Sequence, residues 1–216
     1  MLFHLNKMKG KFIVFEGIDG CGKTTQINHI KDWLPKSGLI LSNNQVKITK
    51  EPGGTNIGER LRDLLLDTKK EITPEDLTEL LLYTADRAEH VSKVIRPSIE
   101  SGQWILSDRY IGSTIAYQGF GRGIDQDIIN SLINISTKGL QPDMTIWLDL
   151  DVELSIKRRE NVKNDRIESE GYYFLKRVSA GFAYLSKKYQ WQRIKADKPK
   201  EEVNQLIEKI MLDNLK

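Results

Sequence analysis

The run Gly17-Ile18-Asp19-Gly20-Cys21-Gly22-Lys23-Thr24 satisfies G-x-x-x-x-G-K-[ST] at every fixed position. Its glycines let backbone N–H groups converge on an anion, and the start of a helix adds positive potential. Lys23 offers a charge to the outer phosphates of a nucleoside triphosphate, and the Thr24 hydroxyl reaches for magnesium. The plain alternative is a glycine-rich turn that packs a helix close to its strand. Cys21 falls on a free position: it is either a small residue that fits or a thiol whose pKa a helix N-terminus lowers. Asp19 puts a negative charge inside an anion cradle, so it needs a partner of its own.

Three further groups suit a second, flat and anionic partner. Tyr83 and Arg87 stand four apart in a helical pattern, so they share a face: a ring to stack on a base and a guanidinium to donate to a base carbonyl. Amphipathic packing of a tyrosine beside a surface arginine gives the same spacing. Asp108-Arg109 follows an apolar run, and in open α/β sheets ligands gather at the carboxyl ends of strands. There the acid can hold magnesium or its waters and the arginine can clamp a phosphate; an ordinary ion pair is the alternative. Lys157, Arg158, Arg159, Lys163 and Arg166 form a cationic stretch that reads as a solvated loop or as a mobile lid over about residues 157–170.

These groups need a scaffold. Strand-like and helix-like segments alternate around them, which predicts an α/β fold: a five-stranded parallel sheet covered by helices on both faces. Phe12-Ile13-Val14-Phe15 is continuously apolar and reads as a central strand buried on both sides. A helix is expected over Lys23–Leu34, a second strand over Gln45–Thr49 before Pro52-Gly53-Gly54, and a third at Trp104-Ile105-Leu106. A fourth is expected over Met144–Leu150 and a fifth over Trp191–Ala196. Leu61, Leu64 and Leu65 mark one helical face. Leu77, Leu80, Leu81, Thr84 and Ala88 mark a long helix from about Pro74 towards Arg96, which Pro97 should interrupt. The helices from Leu77 onward and from Ile128 to Ile135 either face the sheet or cover a second copy of the chain.

A length of 216 residues fits one domain, 1–216, with residues 1–10 as a tail. Lys+Arg 33 against Asp+Glu 30 gives a net charge of +3, and 39% of residues are hydrophobic. That balance excludes a disordered chain and gives no reason to expect a nucleic-acid partner. One cysteine cannot make an internal disulfide or a cysteine-pair zinc site, which points to a reducing compartment. No apolar run approaches the roughly 20 residues that cross a bilayer, and no export signal precedes the first strand, so no membrane association and a cytoplasmic location are expected.

Taken in order, the landmarks resemble thymidylate kinases of the bacterial type from Lys11 to about Ala196. They are Phe15-Glu16-Gly17-Ile18-Asp19-Gly20, Lys50-Glu51-Pro52-Gly53-Gly54-Thr55 and Leu82-Tyr83-Thr84-Ala85-Asp86-Arg87-Ala88-Glu89-His90. Ser107-Asp108-Arg109-Tyr110, Ala116-Tyr117-Gln118-Gly119, Pro142-Asp143 and Asp165-Arg166-Ile167-Glu168 follow. The resemblance implies a P-loop NTPase fold, a homodimer, and transfer of the γ-phosphoryl of ATP to dTMP with Mg2+. It implies ATP on Gly17, Ile18, Asp19, Gly20, Cys21, Gly22, Lys23, Thr24 and Thr25, and metal at Thr24 and Asp108. For dTMP it implies Asp19, Glu51, Pro52, Tyr83, Arg87, Arg109, Ser113, Thr114, Tyr117 and Gln118.

Within that set, the resemblance puts Tyr83 on thymine, Arg87 on its O4 and Arg109 on the monophosphate. Asp19 falls to the sugar 3′-hydroxyl or a magnesium water, and Tyr117 lies where a ribose 2′-hydroxyl would otherwise fit. Thr114 and Gln118 are candidates for the base edge, a helix cap or a surface amide being the alternative. Family members with glycine after the loop acid, here Gly20, carry the catalytic arginine in the lid, which singles out Arg158 or Arg159 beside Lys23, Asp19 and Arg109. Arg166 looks like an anchor of its own turn. Two rivals stand beside this reading: another small P-loop kinase such as a deoxynucleoside kinase, and a nucleotide-dependent switch, against which the lack of an Asn-Lys-x-Asp segment argues.

Overall fold

Alternate side chains of the first strand supply both faces of the core. The protein is described by a computed structural model covering residues 10–42, 45–67, 73–161 and 165–215; the expected tail up to Lys9, and Lys163 of the cationic stretch, lie outside the described residues. β1 (Phe12–Glu16) lies between β3 (Trp104–Asp108) and β4 (Met144–Asp149). The edges are β2 (Val46–Lys50) and β5 (Gln192–Lys195), giving the order β2-β3-β1-β4-β5 with every pairing parallel.

Ile13 and Phe15 point to one face, where they join Ile27 and Ile30 of α1 (Lys23–Trp33) and Ile207 and Met211 of α9 (Lys200–Leu215). Phe12 and Val14 point to the other and meet Val91, Ile95 and Ile99. All four strand side chains are essentially inaccessible, each contributing roughly 1.5–3 kcal/mol by burial. That rigidity fixes the carboxyl ends of β1 and β3, from which the phosphate loop and Asp108-Arg109 emerge.

Two helices contain wide turns. α3 (Asp76–His90) runs without a break through a π-helical segment, Val91–Ile95, into α4 (Arg96–Glu100). Pro97 therefore does not interrupt the helix, contrary to the sequence expectation. A proline ring conflicts with the carbonyl four residues back, here Lys93, and that residue lies in the widened turn. The second case follows α5 (Ile111–Thr114), where Ile115–Gly121 is π-helical and carries Tyr117 and Gln118. α8 (Tyr172–Lys188) packs behind it, with Phe174 and Phe182 ring centroids 6.2 and 6.1 Å from Tyr117.

Leu80 and Thr84 of α3 are buried, whereas Leu77 and Leu81 are 53% and 47% exposed. Ile128 and Ile135 of the neighbouring α6 (Gln126–Thr137) are 47% and 69% exposed. These residues do not face the sheet. α2 (Asn56–Leu66) and α7 (Val152–Arg158) complete the elements around the loops at the sheet's carboxyl edge. Among the described residues no helix is long and apolar enough to cross a membrane.

Candidate active site

The phosphate loop joins β1 to α1 as the pattern requires. Gly17 has φ 141°, and a Cβ there would lie 2.6 Å from the Leu148 carbonyl oxygen, so only glycine fits. Ile18 and Cys21 turn into the core and leave their backbone to the loop. Burial pushes the Cys21 thiol up, which removes the thiolate character a redox role needs. Lys23 is buried; its Nζ donates to the carbonyls of Gly17 (3.0 Å) and Ile18 (3.2 Å) and lies 3.5 Å from Asp19 Oδ1. Asp19 thus has the partner it needs, and a stronger one in Arg109, whose Nη2 donates to Oδ1 at 2.6 Å. Burial alone would raise the Asp19 carboxyl, but Arg109 and Lys23 outweigh it and hold it well below the usual range.

Thr24 donates from Oγ1 to Asp108 Oδ2 at 3.4 Å, while Asp108 Oδ1 is buried without a partner. A hydroxyl and a carboxylate with a spare buried oxygen are hard donors that fit magnesium, which takes few protein ligands and completes its shell with phosphate oxygens and water. Thr24, Thr25, Lys23 and Arg158 border one recess over the loop.

A second recess adjoins it. Tyr83 and Arg87 border it together, as their spacing predicts, with Pro52, Tyr117, Gln118 and Thr114 around them. Burial chiefly, reinforced by Glu79, pushes the Tyr83 phenol up, so it stays neutral. Arg87 is buried and braced: Nε donates to Glu51 Oε2 (2.8 Å), and Nη2 donates to the Tyr110 carbonyl (3.1 Å) and Thr114 Oγ1 (2.8 Å). Its Nη1 has no partner. A buried, charged donor left open in a recess seeks an acceptor, such as a base carbonyl.

Glu51 is itself braced by His90, whose Nδ1 lies 2.9 Å from Oε1 while Nε2 lies 2.6 Å from Thr49 Oγ1. A carboxylate only accepts, so the ring proton sits on Nδ1. Burial opposes the Glu51 charge, and Arg87 and His90 overcome it, keeping the carboxyl below its usual value. Asp86 accepts from the Gly53 N–H at 3.0 Å and so holds the turn after Pro52; burial and the Glu51 charge push it up to about 6.

Arg109 has φ 73°, a left-handed conformation that costs a non-glycine residue about 1–3 kcal/mol and is kept only where the surroundings enforce it. Its Nη1 donates to the Gly17 carbonyl (3.1 Å) and Ser113 Oγ (2.9 Å), and the guanidinium lies 5.1 Å over the Tyr117 ring. The Tyr117 hydroxyl donates to Asp19 Oδ2 at 3.3 Å. Gln118 donates to Glu79 at 2.8 Å, so its amide is anchored at the rim.

Glu79, wholly buried, also receives Arg122 (3.1 Å) and Arg166, and Arg166 Nε donates to the Leu65 carbonyl (2.9 Å). Arg122 in turn pairs with Glu170 at 2.6 Å. The described end of the cationic stretch is therefore fastened across the second recess, and Arg166 is an anchor, as expected. Of the two arginines expected in the lid, Arg158 ends α7 and donates to the Gly20 carbonyl (3.3 Å) and the Ala196 carbonyl (2.9 Å) at the loop recess, whereas Arg159 pairs with Glu168 at 3.1 Å.

Sequence reasoning missed Arg62, which projects from α2 into both recesses and donates to the Pro52 carbonyl at 3.0 Å. No motif marked it; its only signal was a polar position on the face of α2 turned to Pro52. Sequence reasoning also gives no sign that His90, Glu79 and Glu16 act as braces, although His90 and Glu16 fall within the landmarks.

A parallel sheet in this strand order, a glycine loop with Lys23 and Thr24, and a second cation-lined recess sharing a wall with the first define a P-loop nucleotide kinase. Comparison with known proteins narrows the class. The family model described as thymidylate kinase matches residues 15–207. A thymidylate kinase of Parasynechococcus marenigrum is 50% identical over 208 residues, 96% of this chain and 100% of that one. One of Prochlorococcus marinus is 55% identical over 207 residues, 95% of this chain and 94% of that one. The crystal structure of thymidylate kinase from Ehrlichia chaffeensis superposes with a TM-score of 0.76 at 34% identity, covering 94% of this chain and 99% of that chain. The chain belongs to the thymidylate kinase family, whose members phosphorylate dTMP to dTDP.

Proposed function

We propose that this chain transfers the γ-phosphoryl group of ATP to the phosphate of dTMP, giving dTDP and ADP, with magnesium as cofactor. The observation that carries the reading is the shared wall: Asp19, Glu51, Arg62 and Arg109 border both recesses, so donor and acceptor phosphates meet across it. A phosphate oxygen of dTMP forms a bond to the γ-phosphorus as the bond to the β–γ bridging oxygen breaks, and no enzyme intermediate is needed. Lys23 offers its charge to the β- and γ-phosphates, Arg109 and Arg62 hold the acceptor phosphate in line, and Arg158, which borders the loop recess, meets the transferred group. Catalysis is then positional and electrostatic. Magnesium on Thr24 and Asp108 would neutralise charge on the outer phosphates.

Recognition of the acceptor's base and sugar falls to four side chains. Tyr83 stacks on thymine, Arg87 Nη1 donates to its O4, and the Tyr117 ring, backed by Phe174 and Phe182, excludes a ribose 2′-hydroxyl. Asp19 accepts the sugar 3′-hydroxyl. The exposed apolar face formed by Leu77, Leu81, Ile128 and Ile135 supports a homodimer packed through α3 and α6. A single buried cysteine suits a reducing, cytoplasmic setting.

The test is an acceptor panel. With ATP and magnesium, dTMP should be phosphorylated in preference to dUMP, dCMP, dGMP and thymidine. A preference for thymidine would overturn the reading in favour of a deoxynucleoside kinase, and GTP hydrolysis without phosphorylation of any acceptor would favour a switch.

A further inference from the structure

Glu16 is the last residue of β1, is fully buried, and borders neither nucleotide recess. We propose that Glu16 is a positioning residue for the acceptor phosphate: through Ser113 and the backbone at Tyr110 it holds the Arg109 guanidinium in its clamping orientation, and it does so only as a carboxylate. This rests on the reading of Arg109 as the clamp on that phosphate.

Every partner of Glu16 is a donor. Oε1 accepts the N–H groups of Tyr110 (3.0 Å) and Ser113 (3.1 Å), and Oε2 accepts the Ser113 hydroxyl at 2.6 Å. The two backbone bonds fix the start of the α5 turn directly after Arg109, the residue forced to positive φ. The side-chain bond fixes a direction. A guanidinium only donates, so Ser113 Oγ must accept from Arg109 Nη1, and its single hydrogen must go elsewhere. Glu16 takes it. The chain of donation therefore runs from Arg109 to Ser113 to Glu16 and ends on a group with no proton of its own. An acid or amide hydrogen on Oε2 would face the Ser113 oxygen, so the hydroxyl would lose the acceptor for its own hydrogen and the relay that orients Arg109 would be cut.

The pocket is cut for this carboxylate. A Cβ on Gly112 would lie 2.8 Å from Oε1 and 2.4 Å from the Trp191 ring, so residue 112 must be glycine. Around the carboxyl, Tyr110, Ser113 and Trp191 are neutral, and Arg109 is the charged side chain that acts on it. Burial pushes the carboxyl up to about 7, against the Ser113 hydrogen bond, the Arg109 charge and the two backbone donors. Its proton is therefore exchanged near neutral pH.

The experiment compares wild type with Glu16→Gln, Ser113→Ala and the double variant, measuring steady-state dTMP and ATP kinetics and thermal melting at pH 6 and pH 8. At pH 8, Glu16→Gln should raise the KM for dTMP about tenfold, the weight of one hydrogen bond to a charged group. The KM for ATP should stay within about twofold and the melting temperature should not fall. Adding Glu16→Gln to Ser113→Ala should change the dTMP KM by less than about twofold, because the relay is already cut. Between pH 8 and pH 6 the dTMP KM should rise more in wild type than in Glu16→Gln; ionisation of dTMP, near 6 for a phosphate monoester, is common to both. An unchanged dTMP KM in Glu16→Gln, additive effects in the double variant, or dTMP and ATP KM values rising together with a lower melting temperature would each overturn the proposal. Wild type inactive on dTMP at either pH would instead overturn the assigned function.

Discussion

Replacing Arg87 by methionine removes two things of different size. The first is the open Nη1 donor, whose hydrogen bond to a base carbonyl is of the charged kind and contributes about 1.5–3 kcal/mol, or roughly 10- to 150-fold in kcat/KM. The second is the cation paired with Glu51, a residue 4% exposed whose carboxylate would keep only His90. Breaking a buried pair costs about 3–5 kcal/mol, equivalent to a melting temperature about 10 °C lower in a chain of this size. The assay is kcat/KM for dTMP and for dCMP at 25 °C, alongside thermal melts. dCMP presents an amino group where dTMP has its carbonyl, so the wild-type guanidinium meets a donor and discriminates against it. In Arg87→Met the rate with dTMP should fall 10-fold or more while dCMP changes little, and Glu51→Gln added to it should recover part of the lost melting temperature. A dTMP to dCMP ratio that stays at the wild-type value would refute the assignment of Arg87 to the base. An unchanged melting temperature would refute the buried brace.

Lys23→Met should lower kcat by about 10²–10³-fold with an unchanged circular dichroism spectrum, since a preorganised charge on the transferred group is lost; a variant retaining more than a tenth of the rate would contradict the mechanism. Glu16 titrates near 7 when folded against an ordinary 4.5, so both states hold the proton below 4.5 and the folded chain bears a buried charge above 7, at a cost of about 3 kcal/mol. The melting temperature of Glu16→Gln relative to wild type should therefore become more favourable from pH 5 to pH 8, and a flat or reversed difference would count against that titration. Leu77→Glu with Leu81→Glu puts two charges on the exposed apolar face of α3 and should yield a monomer by sedimentation; a wild-type chain that is already monomeric, or a variant that remains dimeric, removes the proposed interface.

Features set by local chemistry were legible in the residues. The phosphate loop and the buried central strand follow from pattern alone, and the structure places them as expected; for Tyr83 and Arg87 spacing gives only a shared helical face, and the resemblance supplies the base. Pro97 misled because the widened turn at Val91–Ile95 has no sequence mark that pattern reading detects. Glu51 and Ser113 were marked as acceptor-binding residues by resemblance; their hydrogen bonds show them gripping the arginines that border the recess. Such braces join residues far apart in the chain, His90 to Glu51 and Glu16 to Ser113, and neither charge nor periodicity announces them. Arg62 escaped for a similar reason: one arginine among 33 basic residues has no motif until Pro52 is seen beside it.

Asp19 stands in contact with two cations at once, 2.6 Å from Arg109 and 3.5 Å from Lys23. A buried lysine and a largely covered arginine so close would otherwise push each other apart, so the acid holds the two cations together in the cleft. In the proposed reaction, incoming phosphates would exchange with a resident anion instead of meeting bare charge. On that reading substrate affinity would be a difference between two ion pairings, which eases departure of the charged product.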